Sequence, residues 1–244
     1  MEEAMTTEPE PPVRPTVHRT GAPLLPPVIA YAALTIAALV VPAAMSGEPP
    51  WTSDAHLLGF FRDHAAAAHA SAFFTFGAAL PFAVATAVAT SRLRTLGLDV
   101  PGRMIALIGG AIASALLSLS GLATFALTQP HVADSPPVVR GLYGLSFAAG
   151  GPGFVAFSGL FLAGVSIAAL VGGVLPRWLG WAGLTIAVVC EVASLSVAFT
   201  DLEVLLPVGR FGGLLWLVAI GALLPSTRRE LRERRGITRA GDER

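Results

Sequence analysis

Lysine is absent from this chain, cysteine occurs once, and charged residues make up only 13% of its 244 positions. A single thiol, Cys190, excludes an intrachain disulfide and any cysteine-cluster metal site. Charge this scarce, against about 25% in an ordinary soluble domain, excludes a conventional water-facing surface. Histidine is confined to His18, His56, His64, His69 and His131. An intramembrane serine nucleophile at Ser158, in the stretch FSGL, would therefore have no imidazole base beside it. No two acids share an apolar run, so an aspartyl-protease pair is also missing, and the expectation is that the chain is not an enzyme.

What the chain has in abundance is apolar length. Hydrophobic residues make up 54% of it, and its mean hydropathy is +0.69. Six runs, near Pro27–Ser46, Ala68–Ser91, Met104–Thr128, Gly153–Leu175, Trp178–Thr200 and Pro207–Leu224, are each long enough to cross roughly 30 Å of hydrocarbon at ~1.5 Å per residue. The expected fold class is all-α, a polytopic membrane bundle of six transmembrane helices. An even number of spans puts both ends on one side.

The arginines choose that side. Arg14, Arg19, Arg92, Arg94, Arg103, Arg177, Arg228, Arg229, Arg232, Arg234, Arg235, Arg239 and Arg244 fall on the side of the termini, and only Arg62, Arg140 and Arg210 on the other. Thirteen against three predicts that both termini are cytoplasmic and that the chain sits in the cell (inner) membrane. Residues 1–26, rich in Pro and Glu and lacking a basic start, read as a disordered cytoplasmic tail instead of a cleaved signal. Residues 226–244 form a basic cytoplasmic tail whose Arg cluster is suited to anionic lipid headgroups; the run is too short to suggest nucleic-acid binding.

Two loops carry helices of their own. After span one, Pro49 and Pro50 stop the helix and Ser53 or Asp54 can cap a short one whose Leu57, Leu58, Phe60 and Phe61 lie at the outer interface, with Trp51 at the same depth. The stretch before span four has the same plan, and an offset of 87 residues aligns Pro49–Pro50 with Pro136–Pro137 and Phe60 with Phe147. That spacing raises the idea of a duplicated helical hairpin. Span four then begins with Gly150, Gly151, Pro152 and Gly153, where Pro152 cannot donate to the carbonyl of Ala148, so a kink or break is expected. A nucleotide loop is excluded there, because no Lys follows.

One ionisable group lies deep in an apolar run. Glu191 is about 15 Å along the helix from Trp181, near the midplane, where an acid costs about 2.5–3.5 kcal/mol unless it is protonated, paired or hydrated. Small residues Gly183, Ala187, Ser194 and Ala198 share its expected face, which points it into the bundle. Arg210 is the expected partner, Arg140 the second, with the hydroxyls of Ser118 and Ser194 nearby. Glu191 either secures packing through these groups or titrates beside the broken span four, as in a proton-coupled secondary transporter. His56, His64 and His131 cluster on the outer face in a spacing that matches no metal signature, so no metal and no cofactor is expected.

Three stretches, FFRDHAAAAHASAFFTFGAALPF, GGPGFVAFSGLFLAGVSIAALVGGVLPRWLGWAGL and RFGGLLWLVAIGALLP, together make the chain resemble a broad group of uncharacterised six-helix bacterial integral membrane proteins, a domain-of-unknown-function family. PRWLGWAGL carries most of the resemblance: a Pro stop, an Arg and two interfacial Trp. The resemblance implies a six-helix bundle in the membrane and no known activity, and it assigns no role to Glu191. The functional expectation is a non-enzymatic membrane binding, scaffolding or envelope protein, with a small proton-coupled transporter as the alternative. Its partners are the lipid bilayer and a small-molecule or protein ligand that the sequence does not name.

Overall fold

A computed structural model describes residues 22–46, 54–132 and 134–234, and all regular elements among them are helical. Residues 1–21 of the tail expected at 1–26, Trp51 with Pro49 and Pro50, and residues 235–244 lie outside the described residues, while Leu25 and Pro26 already belong to the first helix. Six helical runs are long and apolar enough to cross a membrane: Leu25–Ser46, Ala65–Thr95, Pro101–Leu127, Pro136–Gly172, Arg177–Val197 and Thr200–Leu223. The chain is therefore a multi-pass membrane protein in its architecture.

The helices are α1 (Leu25–Ser46), α2 (Asp54–Asp63), α3 (Ala65–Thr95), α4 (Pro101–Leu127), α5 (Pro136–Ala148), α6 (Phe154–Gly172), α7 (Arg177–Ser194), α8 (Leu205–Leu223) and α9 (Arg228–Arg234). Pro101 opens α4 at a position where its missing N–H costs nothing, and Pro26 and Pro27 similarly sit in the first turn of α1. The end of α6 is set by Gly173 in the left-handed region at φ 58°, with Val174 N–H donating back to Ala169 O at 3.2 Å. Pro176, with extended ψ 136°, then separates α6 from α7 as the N-cap of the latter.

In space the spanning helices follow chain order as a ring, α1 on α3, α3 on α4, α4 on α6, α6 on α7 and α7 on α8, closed by α8 against α1. α6 also touches α3 and α8, which makes it the central helix. Its seam with α4 is close because of glycine: a Cβ on Gly109 would stand 2.7 Å from Phe161 N and 2.8 Å from Phe157 O. Small residues of this kind let backbones approach where lipid offers no hydrophobic drive to associate. Phe82 of α3 fills the space behind, with its ring 4.9 Å from Tyr31, 5.5 Å from Phe154 and 5.8 Å from Phe161.

The described termini meet at one end of the bundle, hereafter the terminal end. Arg92, only 7% exposed, donates from Nε to Ala22 O at 2.8 Å and from Nη1 to Leu224 O at 2.6 Å. The second bond satisfies a carbonyl left open where α8 stops. At the same end Thr227 caps α9 by accepting from Glu230 N at 3.2 Å, while Glu230 Oε2 accepts from Ser226 N at 2.8 Å. This reciprocal arrangement follows capping-box logic.

At the opposite, far end, α2 folds over the bundle. Leu57, Phe60 and Phe61 pack on Ala67, Ala68, Leu127 and Val139 in a small second core. Those apolar residues thus meet protein. The helix expected before span four is α5, Pro136–Ala148, which joins α6 through a kink at Ala149–Gly153 within one apolar run from Pro136 to Gly172. The hairpin-duplication idea fares poorly, since Phe60 is buried and its counterpart Phe147 is exposed.

Candidate intramembrane polar site

The junction between α5 and α6 is a π-turn, Ala149–Gly153, with Gly151 far from helical geometry at φ −90°, ψ −105°. Pro152 brings no N–H, and the N–H of Phe154 reaches back to Ala149 O, one residue further than an α-helix allows. That shift leaves Gly150 O without its usual helical donor. Arg210, one turn into α8, supplies the replacement: Nη1 donates to Gly150 O at 3.0 Å, and Cζ lies 5.2 Å from the centroid of the Phe154 ring. A charged donor of this kind contributes about 1.5–3 kcal/mol, and a ring under the guanidinium about 0.5–2 kcal/mol.

The break is also held from α4. Ser120 Oγ donates to Ser146 O at 2.8 Å, Ser146 Oγ lies 3.2 Å from Ser120 Oγ and 2.8 Å from Thr124 Oγ1, and a Cβ on Gly150 would collide with Ser120. Hydroxyls thus bridge α4 to the last turn of α5. Ser118, expected to serve this region, is two residues away, about 200° around the helix, half-buried and outside the cluster.

Glu191 does not meet Arg210. Among the described residues no ion pair involves Glu191, and Arg210 faces the π-turn. The buried face of α7 runs through Gly183, Ala187, Cys190 and Ala193, so Glu191 lies one residue, about 100°, off it and is exposed at the seam with α6. A Cβ on Gly159 would stand 3.2 Å from Glu191 Oε1, so the absent side chain there makes room for the carboxylate. Ser194 Oγ donates at 2.6 Å to the backbone O of Glu191, a bond within its own helix and not to the carboxylate. The expectation that Glu191 points into the bundle is corrected on this account: the buried stripe advances by three residues at Cys190–Ala193, and the acid is carried round with the helix.

Arg140 lies exposed on α5, away from this junction. At the far end His131, in the left-handed region at φ 67°, lies 3.7 Å from Asp134, and Arg62 is 3.8 Å from the same carboxylate. The side chain of His56 lies outside the described residues, and His64 stacks near Phe60 at 5.5 Å. Among the described residues no three His, Cys, Asp or Glu converge to hold a metal ion.

Sequence reasoning missed three features that the structure brings forward. Arg92 read as a positive-inside anchor, and only its 70- and 132-residue separations from Ala22 and Leu224 reveal it as a clamp. Ser146 lay in a stretch with no obvious face. Trp216, buried on α8, donates from Nε1 to Leu179 O at 2.8 Å and ties α8 to the start of α7. Its lone position as the fourth Trp, away from the interfacial Trp178 and Trp181, was the available signal.

Fold and site together define a polytopic α-helical membrane protein whose intramembrane polar groups centre on a broken fourth span. No protein family, curated protein or solved structure matches the chain.

Proposed function

We propose that this chain is a non-enzymatic binding or scaffolding protein of the cell envelope, embedded in the cell (inner) membrane with both termini cytoplasmic, and a member of the uncharacterised six-helix bacterial family it resembles. The observation that carries this reading is how the intramembrane donors are used. Arg210, Ser120, Trp216 and Arg92 each bond a backbone carbonyl of a neighbouring segment. Groups so committed hold helices together and, among the described residues, leave no connected series of titratable side chains to pass a proton. The arginine asymmetry supports the orientation, and the four arginines of α9, Arg228, Arg229, Arg232 and Arg234, support a contact with anionic headgroups.

One observation favours the second reading, a small proton-coupled transporter: Glu191 is exposed in the seam between α6 and α7 and takes part in no ion pair among the described residues. Thermal unfolding of purified wild type and Glu191→Gln across pH, with a panel of small molecules, separates the two. Scaffolding expects the same ligand response from both proteins; a ligand-dependent, pH-linked shift lost in the variant would replace it with transport. Topology reporters after Thr128 and Pro225 check the orientation, and periplasmic activity at Pro225 would overturn it.

A further inference from the structure

A guanidinium presents five N–H groups and keeps its charge at any physiological pH. Arg210 spends one of them on protein, the Nη1 bond to Gly150 O at 3.0 Å, with the Phe154 ring under Cζ. Its Nε and Nη2, which together form an edge able to clasp two oxygens at once, meet no acceptor among the described residues. No carboxylate among them pairs with it either. Asp201 and Glu203, the acids that precede it on the way into α8, are exposed and take part in no ion pair among the described residues. The stretch from Arg210 to Leu223, where α8 ends, corresponds to about 20 Å of helix. Arg210 therefore lies within about 10 Å of the far surface of a hydrocarbon core about 30 Å thick, a depth at which an uncompensated charge is costly.

The second observation is a hydroxyl at the same junction. Ser158 and Ser194 turn their Oγ back to carbonyls of their own helices, at 2.8 and 2.6 Å, which is how serine is ordinarily satisfied in a membrane helix. Ser196 does not. It is 6% exposed, in the 3₁₀ turn Leu195–Val197 that lies against the π-turn, and its Oγ has no hydrogen-bond partner among the described residues. A buried hydroxyl left unbonded is destabilising. Beside the same π-turn Gly151 leaves an apolar gap: a Cβ there would stand 3.6 Å from Leu206 and 3.8 Å from Phe147. Phe147 is 43% exposed, so this wall opens to the bilayer.

We propose that the broken fourth span binds the oxyanion head of an amphiphile, with two oxygens on the Nε–Nη2 edge of Arg210, a hydrogen bond from Ser196, and the apolar chain along Phe147. The head is an anion because the permanent charge of Arg210 has only a neutral carbonyl and a ring for company. It is a carboxylate or phosphate because those groups match the two parallel donors of a guanidinium edge. The rest is apolar because the approach runs through the far leaflet. A free carboxylate and a phospholipid headgroup share this chemistry. The proposal rests on the binding reading above and gives it a ligand class.

The test is thermal unfolding of full-length protein in an uncharged maltoside detergent, titrated with octanoate, with octanol as the neutral control, and with phosphatidylglycerol against phosphatidylcholine. An anion that binds only the folded bundle raises its melting temperature in proportion to the logarithm of its concentration. Octanoate or phosphatidylglycerol is expected to do so, and whichever acts identifies the source of the head; the neutral partners are not. Arg210→Lys, which keeps the charge and loses the fork, is expected to weaken the apparent affinity about tenfold. Ser196→Ala is expected to melt higher than wild type without anion and yet to respond less to it, a split that a purely structural hydroxyl would not produce. No shift with either anion, an equal shift with octanol, or a full response from Arg210→Lys overturns the proposal. If Arg210→Lys fails to fold, Ser196→Ala decides, and a full response from it overturns the site. Glu191→Gln in the same titration tests the reading beneath: an anion response kept there leaves binding in place, whereas a pH-linked loss replaces binding with transport even though the site at Arg210 stands.

Discussion

The two halves of this bundle solve the same problem with different means. Toward the terminal end, α4 and α6 touch backbone to backbone at Gly109, and Arg92 is buried between two chain segments whose carbonyls it bonds. Toward the far end the helix is broken, hydroxyls bridge Ser120 to Ser146, and Arg210 is only half-buried with one carbonyl and one ring. A backbone-to-backbone seam with a buried arginine clamp thus secures one half, whereas hydroxyls and a half-buried arginine secure the broken helix in the other. The lesson is that tolerance of substitution should differ between the halves even where the residue types are the same.

The largest expected effect is at the clamp. Arg92→Met removes two charge-assisted bonds and should lower stability by about 3 kcal/mol in detergent unfolding. A loss under about 1 kcal/mol would reduce Arg92 to a charge that merely orients the chain. Next comes the seam: Gly109→Ala drives a methyl into the backbone of α6 and should cost about 2 kcal/mol. Arg210→Met leaves Gly150 O unmet and should cost about 1.5 kcal/mol, with faster hydrogen exchange at Ala149–Gly153 as its local signature. An unchanged exchange rate there would mean that the π-turn needs no external donor. The smallest effect has the opposite sign. Gly144 on α5 has nothing within 4 Å of a new Cβ, so Gly144→Ala should stabilise by about 0.5–1 kcal/mol through helix propensity alone. If both alanine substitutions destabilised equally, the contrast between the halves would fail.

Span number and type were legible because each run exceeds the length that the hydrocarbon demands, and that signal needs no tertiary information. The break at 150–153 was legible from Pro152, whose missing N–H acts locally. Its partner was not. Only the change from α to π bonding exposes Gly150 O, and no residue pattern states which helix will face it. The role of Glu191 shifted for a geometric reason: a stripe of small residues fixes a face to within about one residue, and one residue is 100° of helix. Ser118 and Ser120 illustrate the same error on α4. Arg92 was hidden differently, since an arginine near a helix end has an adequate explanation in charge bias and nothing local distinguishes a clamp from an anchor.

The closure of the ring by α1 and α8 sets an order of events during synthesis. Arg92 enters the membrane region with the second span, but one of its two acceptors, Leu224 O, lies 132 residues later. Until the sixth helix arrives, the nascent protein holds a guanidinium with unfilled donors beside an open gap between its first and fifth spans. A chain that stops before α8 therefore lacks the Leu224 carbonyl that Arg92 bonds in the full bundle.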